Sequence, residues 1–116
     1  MELIRKIILC LEESNTSWQK KLQDEGYTLE QIGYHSYLLI DGGFAEGNSN
    51  RTFNATYPLV HLNNLTWQGH EFADASRNDS IWNKAMERVK EKGDTIPIGV
   101  LTMLLTSLLK SAFGLV

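Results

Sequence analysis

The most chemically versatile side chains in this sequence are its histidines and its cysteine. These residue types can bind metals, transfer protons or act as nucleophiles. His35, His61 and His70 fall on three different predicted elements, and no two of them form a metal-binding pair of the HExxH kind. Cys10 is the single cysteine, which excludes zinc sites built from two or four cysteines, and it lies in an apolar helical stretch. We therefore expect a buried, unreactive thiol and no metal site.

Other catalytic patterns are equally weak. The pair Gly42-Gly43 lacks the Lys and Ser/Thr of a phosphate-binding loop. Carboxylates such as Glu87 and Glu91 have the one-turn spacing of a solvated helix face. The sequence predicts that the protein is not an enzyme, and it indicates no catalytic residue, cofactor or small-molecule ligand.

Residues 28–41 carry side chains that can recognise a macromolecule. In a helix over this range Gln31 and Tyr34 can contact bases, and Arg51 in a later loop can enter a minor groove. The candidate DNA-binding or partner-binding residues are Gln31, Tyr34, His35, Leu38 and Arg51.

Charge weighs against DNA as the partner. The helix over residues 28–41 has no Lys or Arg, its charges are Glu30 and Asp41, and the formal net charge of the chain is −3. Affinity for DNA comes largely from cations that neutralise phosphates, whereas an aromatic, cation-free face suits a protein. A DNA-binding, transcription-regulatory module and a protein–protein interaction adaptor are therefore both open. The simpler alternatives are a purely capping role for Gln31 and a solvated loop position for Arg51.

The local sequence defines this helix closely. Thr28 is a good N-cap, and Gln31 three residues later completes a capping box. Gly42 and Gly43 predict a left-handed stop near Asp41. A hairpin follows, with predicted strands over residues 44–46 and 57–62 and a long polar loop between them. Because Pro58 cannot donate to a sheet ladder, it restricts the second strand to an edge or to its start.

The elements on either side are predicted from helical periodicity and caps. Residues 2–13 form a helix with a core stripe. For residues 14–26 the sequence favours a short strand or irregular connection with little room for a second helix, although Trp18 and Leu22 also suit one helical turn. Thr66 caps a third helix in which Trp67 and Phe72 supply bulk, and a fourth covers residues 81–92. The core stripe of the first helix consists of Ile4, Ile7, Ile8 and Leu11.

The last helix, within residues 96–116, is amphipathic. Lys110 is its only charge, yet a membrane span would be apolar all round over about 20 residues, so we expect it to pack on protein and not in a membrane. Its apolar face either closes the core or joins two copies in a homodimer. The possible dimer face consists of Leu101, Leu104, Leu105, Leu108 and Leu109.

The order of these elements predicts an α+β fold that is winged-helix-like: a variant helix-turn-helix with a short β-hairpin wing, followed by a C-terminal two-helix extension. At 116 residues and 42% hydrophobic residues, the chain is expected to form a single domain, residues 1–116, with a core over 1–78 and the extension over 79–116. The lone cysteine and the lack of a secretory signal pattern predict a cytoplasmic location.

Several short motifs along nearly the whole chain resemble one known family. They are Leu3-Ile4-Arg5-Lys6-Ile7, Glu25-Gly26-Tyr27-Thr28, Gln31-Ile32, Tyr34-His35, Leu38-Leu39 with Gly43, Leu65-Thr66-Trp67-Gln68-Gly69-His70-Glu71-Phe72, and Asp79 with Ile81-Trp82-Asn83-Lys84. On these residues the chain is similar to domain-of-unknown-function family 2513 of bacteria and phages. The resemblance implies a winged-helix variant with a helical C-terminal extension, and it brings no activity and no catalytic residue.

Overall fold

The computed structural model describes residues 2–13, 17–50, 59–93 and 96–114. Within these ranges the fold is α+β, as predicted, with six helices and one two-stranded antiparallel hairpin. The elements in chain order are α1 (Glu2–Glu12), α2 (Trp18–Asp24), α3 (Leu29–Asp41), β1 (Ala45–Asn50), β2 (Leu59–Leu65), α4 (Trp67–Ser76), α5 (Asp79–Glu91) and α6 (Ile98–Ala112).

Helices α1, α2 and α3 pack on one another, and the α2–turn–α3 segment forms a helix-turn-helix. The prediction that residues 14–26 form a short strand or irregular connection, with little room for a second helix, is wrong for residues 18–24, which form α2. Trp18 and Leu22 lie one turn apart and are both buried, so tertiary burial sustains a seven-residue helix that has no side-chain cap at Ser17. In α1, Leu3 and Cys10 join the predicted stripe in the core, while Leu11 is only half-buried.

Helix α3 begins and ends where the sequence predicts. The Thr28 N–H donates to Gln31 Oε1 at 2.9 Å and the Gln31 N–H donates to Thr28 Oγ1 at 3.1 Å, so the predicted capping box is confirmed. At the other end only Gly43 is left-handed, with φ +81°, because Gly42 keeps a helical φ of −82°. The predicted left-handed stop therefore depends on one glycine.

The hairpin is longer and more regular than predicted. Strand β1 extends to Asn50 and β2 to Leu65, so residues 47–50 lie in a strand and not in the loop. A β-bulge follows Glu46, where the pairing shifts from Glu46 with Asn64 to Gly47 with Leu62. A Cβ on Gly47 would lie 2.0 Å from the backbone oxygen of His61, which explains the glycine at this close approach. Residues 51–58, with Arg51 and Pro58, lie outside the described residues.

The start of α4 is attached to the junction between α3 and β1. The Thr66 hydroxyl donates to the backbone oxygen of Gly43 at 2.6 Å and accepts from the Gly69 N–H at 3.2 Å, which confirms Thr66 as the cap. A Cβ on Gly69 would lie 2.0 Å from the Phe44 oxygen, so the helix can approach this closely only with glycine there. The prediction that Trp67 supplies core bulk is wrong, since its side chain is 79% exposed, whereas Phe72 is fully buried.

The chain divides into two compact units, residues 1–70 and 71–116. In the second unit α5 packs against α6, and the rings of Phe72 and Trp82 meet edge to face at 6.4 Å. The Asn78 side chain caps α5 through the Ile81 N–H, and Gly93 with φ +99° follows its end.

Among the residues whose positions are described, no helix combines the length and hydrophobicity that crossing a lipid bilayer requires.

Candidate functional site

The exposed side of α3 carries one continuous stripe of side chains. At 100° per residue its members fall within about a quarter of the helix circumference. The ends of the stripe are acidic and exposed, and its middle is aromatic and aliphatic, with Tyr34 52% exposed and Tyr37 and Leu38 half-buried. We call this set the α3 stripe; it consists of Glu30, Tyr34, Tyr37, Leu38 and Asp41.

Helix α3 carries a net negative charge: Glu30 and Asp41 are its acidic residues, and it contains no Lys or Arg. Glu30 lies in the first turn, where a carboxylate is stabilised by the positive end of the helix dipole. Asp41 lies in the last turn, where the same dipole disfavours it and where α3 has no basic residue to compensate. An acidic residue at this position costs helix stability, so it is a candidate for a role other than folding.

Gln31 is occupied by its structural role. Its side-chain oxygen accepts the Thr28 N–H, which leaves the amide NH2 and the second lone pair of that oxygen for a partner. A bidentate contact to adenine needs both the oxygen and the NH2 of a glutamine. The capping box therefore fixes the orientation in which the Gln31 amide can be presented to a base.

His35 and Tyr34 contact each other on α3, with ring centroids 5.7 Å apart in an edge-on arrangement. His35 Nδ1 lies 2.8 Å from the Gln31 backbone oxygen, and since a carbonyl only accepts, the proton lies on Nδ1. The ring of His35 is thus held against its own helix. Of the predicted site residues, the structure brings Gln31, Tyr34, His35 and Leu38 together on α3, and Arg51 lies outside the described residues.

Cys10 is buried, as predicted, at 5% exposure beside a cavity of about 170 Å³ between α1 and α2. Burial raises the pKa of its thiol, which favours the protonated, less reactive form. The same cavity is bordered by Lys6 and Glu25, whose charged atoms lie 2.6 Å apart. This ion pair raises the pKa of Lys6 and lowers the pKa of Glu25 through their hydrogen bond.

The leucines predicted as a dimer face have different degrees of exposure. Leu101 and Leu105 are fully buried, while Leu104, Leu108 and Leu109 are half-buried. Val100 and Met103 on the same helix are 49% and 72% exposed. Homodimerisation through α6 stays a prediction.

Two features of the surface were missed in the sequence. One is the exposure of Trp67, which the sequence does not signal because tryptophan side chains are on average highly buried. The other is a cavity of about 280 Å³ in the second unit, bordered by Arg88 and Lys92. The sequence does show that these two cations lie one helical turn apart. The cavity beside them could not be predicted, because it depends on how α5 and α6 cross. In the ranges that the structure describes, no three His, Cys, Asp or Glu side chains form a group that could hold a metal ion.

Comparison with known proteins agrees with the family resemblance. The family described as "Hypothetical protein (DUF2513)" matches residues 1–95. The chain is 37% identical over 93 residues to a protein of Haemophilus influenzae strain Rd with the name "Uncharacterized protein", an alignment that covers 78% of this chain and 77% of that protein. No solved structure matches the chain. Because the family match extends from α1 through α5, the chain belongs to domain-of-unknown-function family 2513.

Proposed function

We propose that the protein is a non-catalytic winged-helix module that binds another protein through the α3 stripe, acting as an adaptor in the cytoplasm of a bacterium or in a phage-infected cell. The single observation that carries this proposal is the composition of the stripe: an aromatic and aliphatic centre between two acidic ends on a helix without a cation. Aromatic residues are enriched at protein interfaces, and fixed acidic residues repel nucleic acid.

The stripe also limits the chemistry of the partner. Tyr34, Tyr37 and Leu38 suit an apolar or aromatic anchor, and Glu30 and Asp41 at the two ends suit Lys or Arg on the rim of the same surface. Such charge pairs at a rim mainly raise the association rate and fix the orientation of the complex. The expected partner therefore presents an apolar patch flanked by basic residues.

DNA binding is a second candidate, and the arrangement of the elements favours it. In helix-turn-helix proteins the second helix of the motif enters the major groove, and α3 occupies that position with the β1–β2 hairpin following as a wing. Lys20 and Lys21 on α2 are exposed and can meet phosphates. This likeness is one of fold, and a fold alone does not fix a function.

A mobility-shift experiment separates the two candidates. At micromolar protein, random duplex DNA and about 50 mM salt, the adaptor proposal predicts no shifted band, since α3 supplies no cation to release counterions. A shift that fades steeply as the salt concentration rises would instead support DNA binding and contradict the adaptor.

The α3 stripe itself is tested by variants that separate binding from folding. With a photo-cross-linking residue placed at Tyr37, within the stripe, the proposal predicts cross-linked partners that disappear on Tyr34→Ala. Asp41→Asn is expected to weaken capture while raising the free energy of unfolding by about 0.3–1 kcal/mol, because it removes a charge that the helix dipole disfavours. Asn83→Ala on the exposed side of α5 is the control that should leave capture unchanged. Capture that survives both α3 variants would contradict the proposal.

A further inference from the structure

The cavity between α5 and α6 combines an aliphatic lining with two cations at its border. It measures about 280 Å³ and is lined by Arg88, Val89 and Lys92 of α5, Ile96 of the connection, and Val100 and Leu104 of α6. Arg88 and Lys92 are exposed, Val89 is buried, and Val100 is half exposed. The lining is thus apolar inside and positively charged at the surface, and all of it belongs to the second unit.

The two cations on α5 are placed so that they can share one anion. Arg88 and Lys92 lie four residues apart on the same helix, where like charges repel and destabilise the helix. A carboxylate between them would relieve this repulsion and accept charge-assisted hydrogen bonds from both side chains. The lining also includes Val100, in the first turn of α6, where the helix dipole is positive and no side chain supplies a cap.

The size and lining of the cavity limit the rest of the ligand. Pockets for small ligands begin at roughly 300 Å³, so this cavity suits one short, narrow molecule. Its apolar residues, Val89, Ile96, Val100 and Leu104, are all aliphatic and offer no aromatic ring for stacking and no hydrogen-bonding side chain. An unbranched hydrocarbon chain fits this surface better than a sugar or a nucleotide does.

We propose that the α5–α6 cavity binds a medium-chain aliphatic carboxylate, with the carboxylate between Arg88 and Lys92 and the chain against Val89, Val100 and Leu104. The charge at the border selects the acid over the corresponding alcohol or amine. This site is independent of the α3 stripe, so either proposal can fail without the other.

Calorimetric titration of the full chain tests the chemistry of the ligand. Decanoate, kept below its critical micelle concentration, is expected to bind, decanol to bind more weakly and decylamine not to bind. The double variant R88Q/K92Q should weaken decanoate binding about tenfold, as expected for the loss of two exposed charge contacts. The matched double variant K84Q/K90Q removes two charges from the same helix outside the cavity and should bind like the wild type.

A second measurement tests the location. Val100→Trp places a large side chain at the half-exposed edge of the cavity and should abolish decanoate binding, while amide chemical-shift changes in the wild type should centre on α5 and α6. No binding of decanoate at millimolar concentration would overturn the proposal, as would equal binding of all three amphiphiles or equal loss in K84Q/K90Q. Light scattering gives one further test. If the wild type has the mass of two chains and Val100→Trp has the mass of one, a second copy of the chain fills the cavity and the proposal is overturned.

Discussion

Gly69 shows how a single missing methyl group can determine the path of the chain. A Cβ there would lie 2.0 Å from the Phe44 backbone oxygen and 3.1 Å from the Leu65 side chain. We expect Gly69→Ala to lower the free energy of unfolding by about 1–3 kcal/mol in urea titrations, because backbone must move to admit the methyl group. Gly99→Ala is the matched control: nothing lies within 4 Å of its Cβ, so we expect stabilisation of about 0.5–1 kcal/mol. Equal effects of the two variants would contradict this explanation.

Two buried serines form a second comparison at the scale of single residues. Ser36 is 1% exposed, and its hydroxyl has no hydrogen-bond partner among the described residues, whereas the Ser76 hydroxyl donates to the Ala73 oxygen. An unsatisfied buried hydroxyl costs stability, so Ser36→Ala is expected to leave the melting temperature unchanged or higher. Ser76→Ala should lower the free energy of unfolding by about 1 kcal/mol. A lower melting temperature for Ser36→Ala would indicate that its hydroxyl has a partner.

Among the elements, α3 was predictable from sequence and α2 was not. The limits of α3 are encoded locally by Thr28, Gln31 and Gly43, whose hydrogen bonds and dihedral angles the sequence pattern specifies. Helix α2 has seven residues and no side-chain cap, and it forms because Trp18 and Leu22 are buried by neighbouring elements. In the sequence, burial of this kind shows only as the two apolar residues Trp18 and Leu22. Their spacing suits a strand as well as a helix.

The ion pair between Lys6 and Glu25 joins α1 to the end of α2 and makes that contact sensitive to pH. Because the pair lowers the pKa of Glu25 below its ordinary 4.5, its contribution is present above pH 4.5 and is lost as the pH falls through the lowered value. The pKa of Lys6 is raised above 10.5, so the contribution is also lost as the pH rises through that raised value. Between these limits the pair is intact.

Melting temperatures from pH 3 to 7 test this link between the two helices. Lys6→Met should lower the melting temperature at pH 7, and the difference in melting temperature from the wild type should narrow as the pH falls through the lowered pKa of Glu25. The aromatic contact of Lys6 with Tyr27, 5.9 Å from the ring centre, does not depend on Glu25, so some difference should remain. Lys20→Met, a change at an exposed α2 lysine, should show no such narrowing. If Lys6→Met lowered the melting temperature by the same amount at pH 3 and at pH 7, the ion pair would be excluded as the source of the effect.

For the molecule as a whole, the sequence predicted the acidic character of α3 but not the cavity in the second unit. Residue identities and a 100° repeat suffice to place Glu30, Tyr34 and Asp41 on one side of a helix. The cavity arises where stripes of two helices meet, and Arg88 and Val100 are brought together by the crossing of α5 and α6. No local pattern encodes such a crossing, so the site became visible only in three dimensions.

The state of association is a property of the whole molecule that depends on how much of α6 is left exposed. Of the predicted dimer face, Leu101 and Leu105 are already buried within one chain, and the outer side of α6 carries the exposed polar residues Ser107 and Lys110 next to Met103. A stable homodimer needs about 800 Å² of complementary surface on each chain, and so mixed a strip supplies little of it. We therefore expect light scattering at tens of micromolar to give the mass of one chain, 13.2 kDa. The α6 dimer would instead be established by a two-chain mass for the wild type. Met103→Lys should then reduce this mass to one chain, and the surface control Lys84→Gln should leave it unchanged.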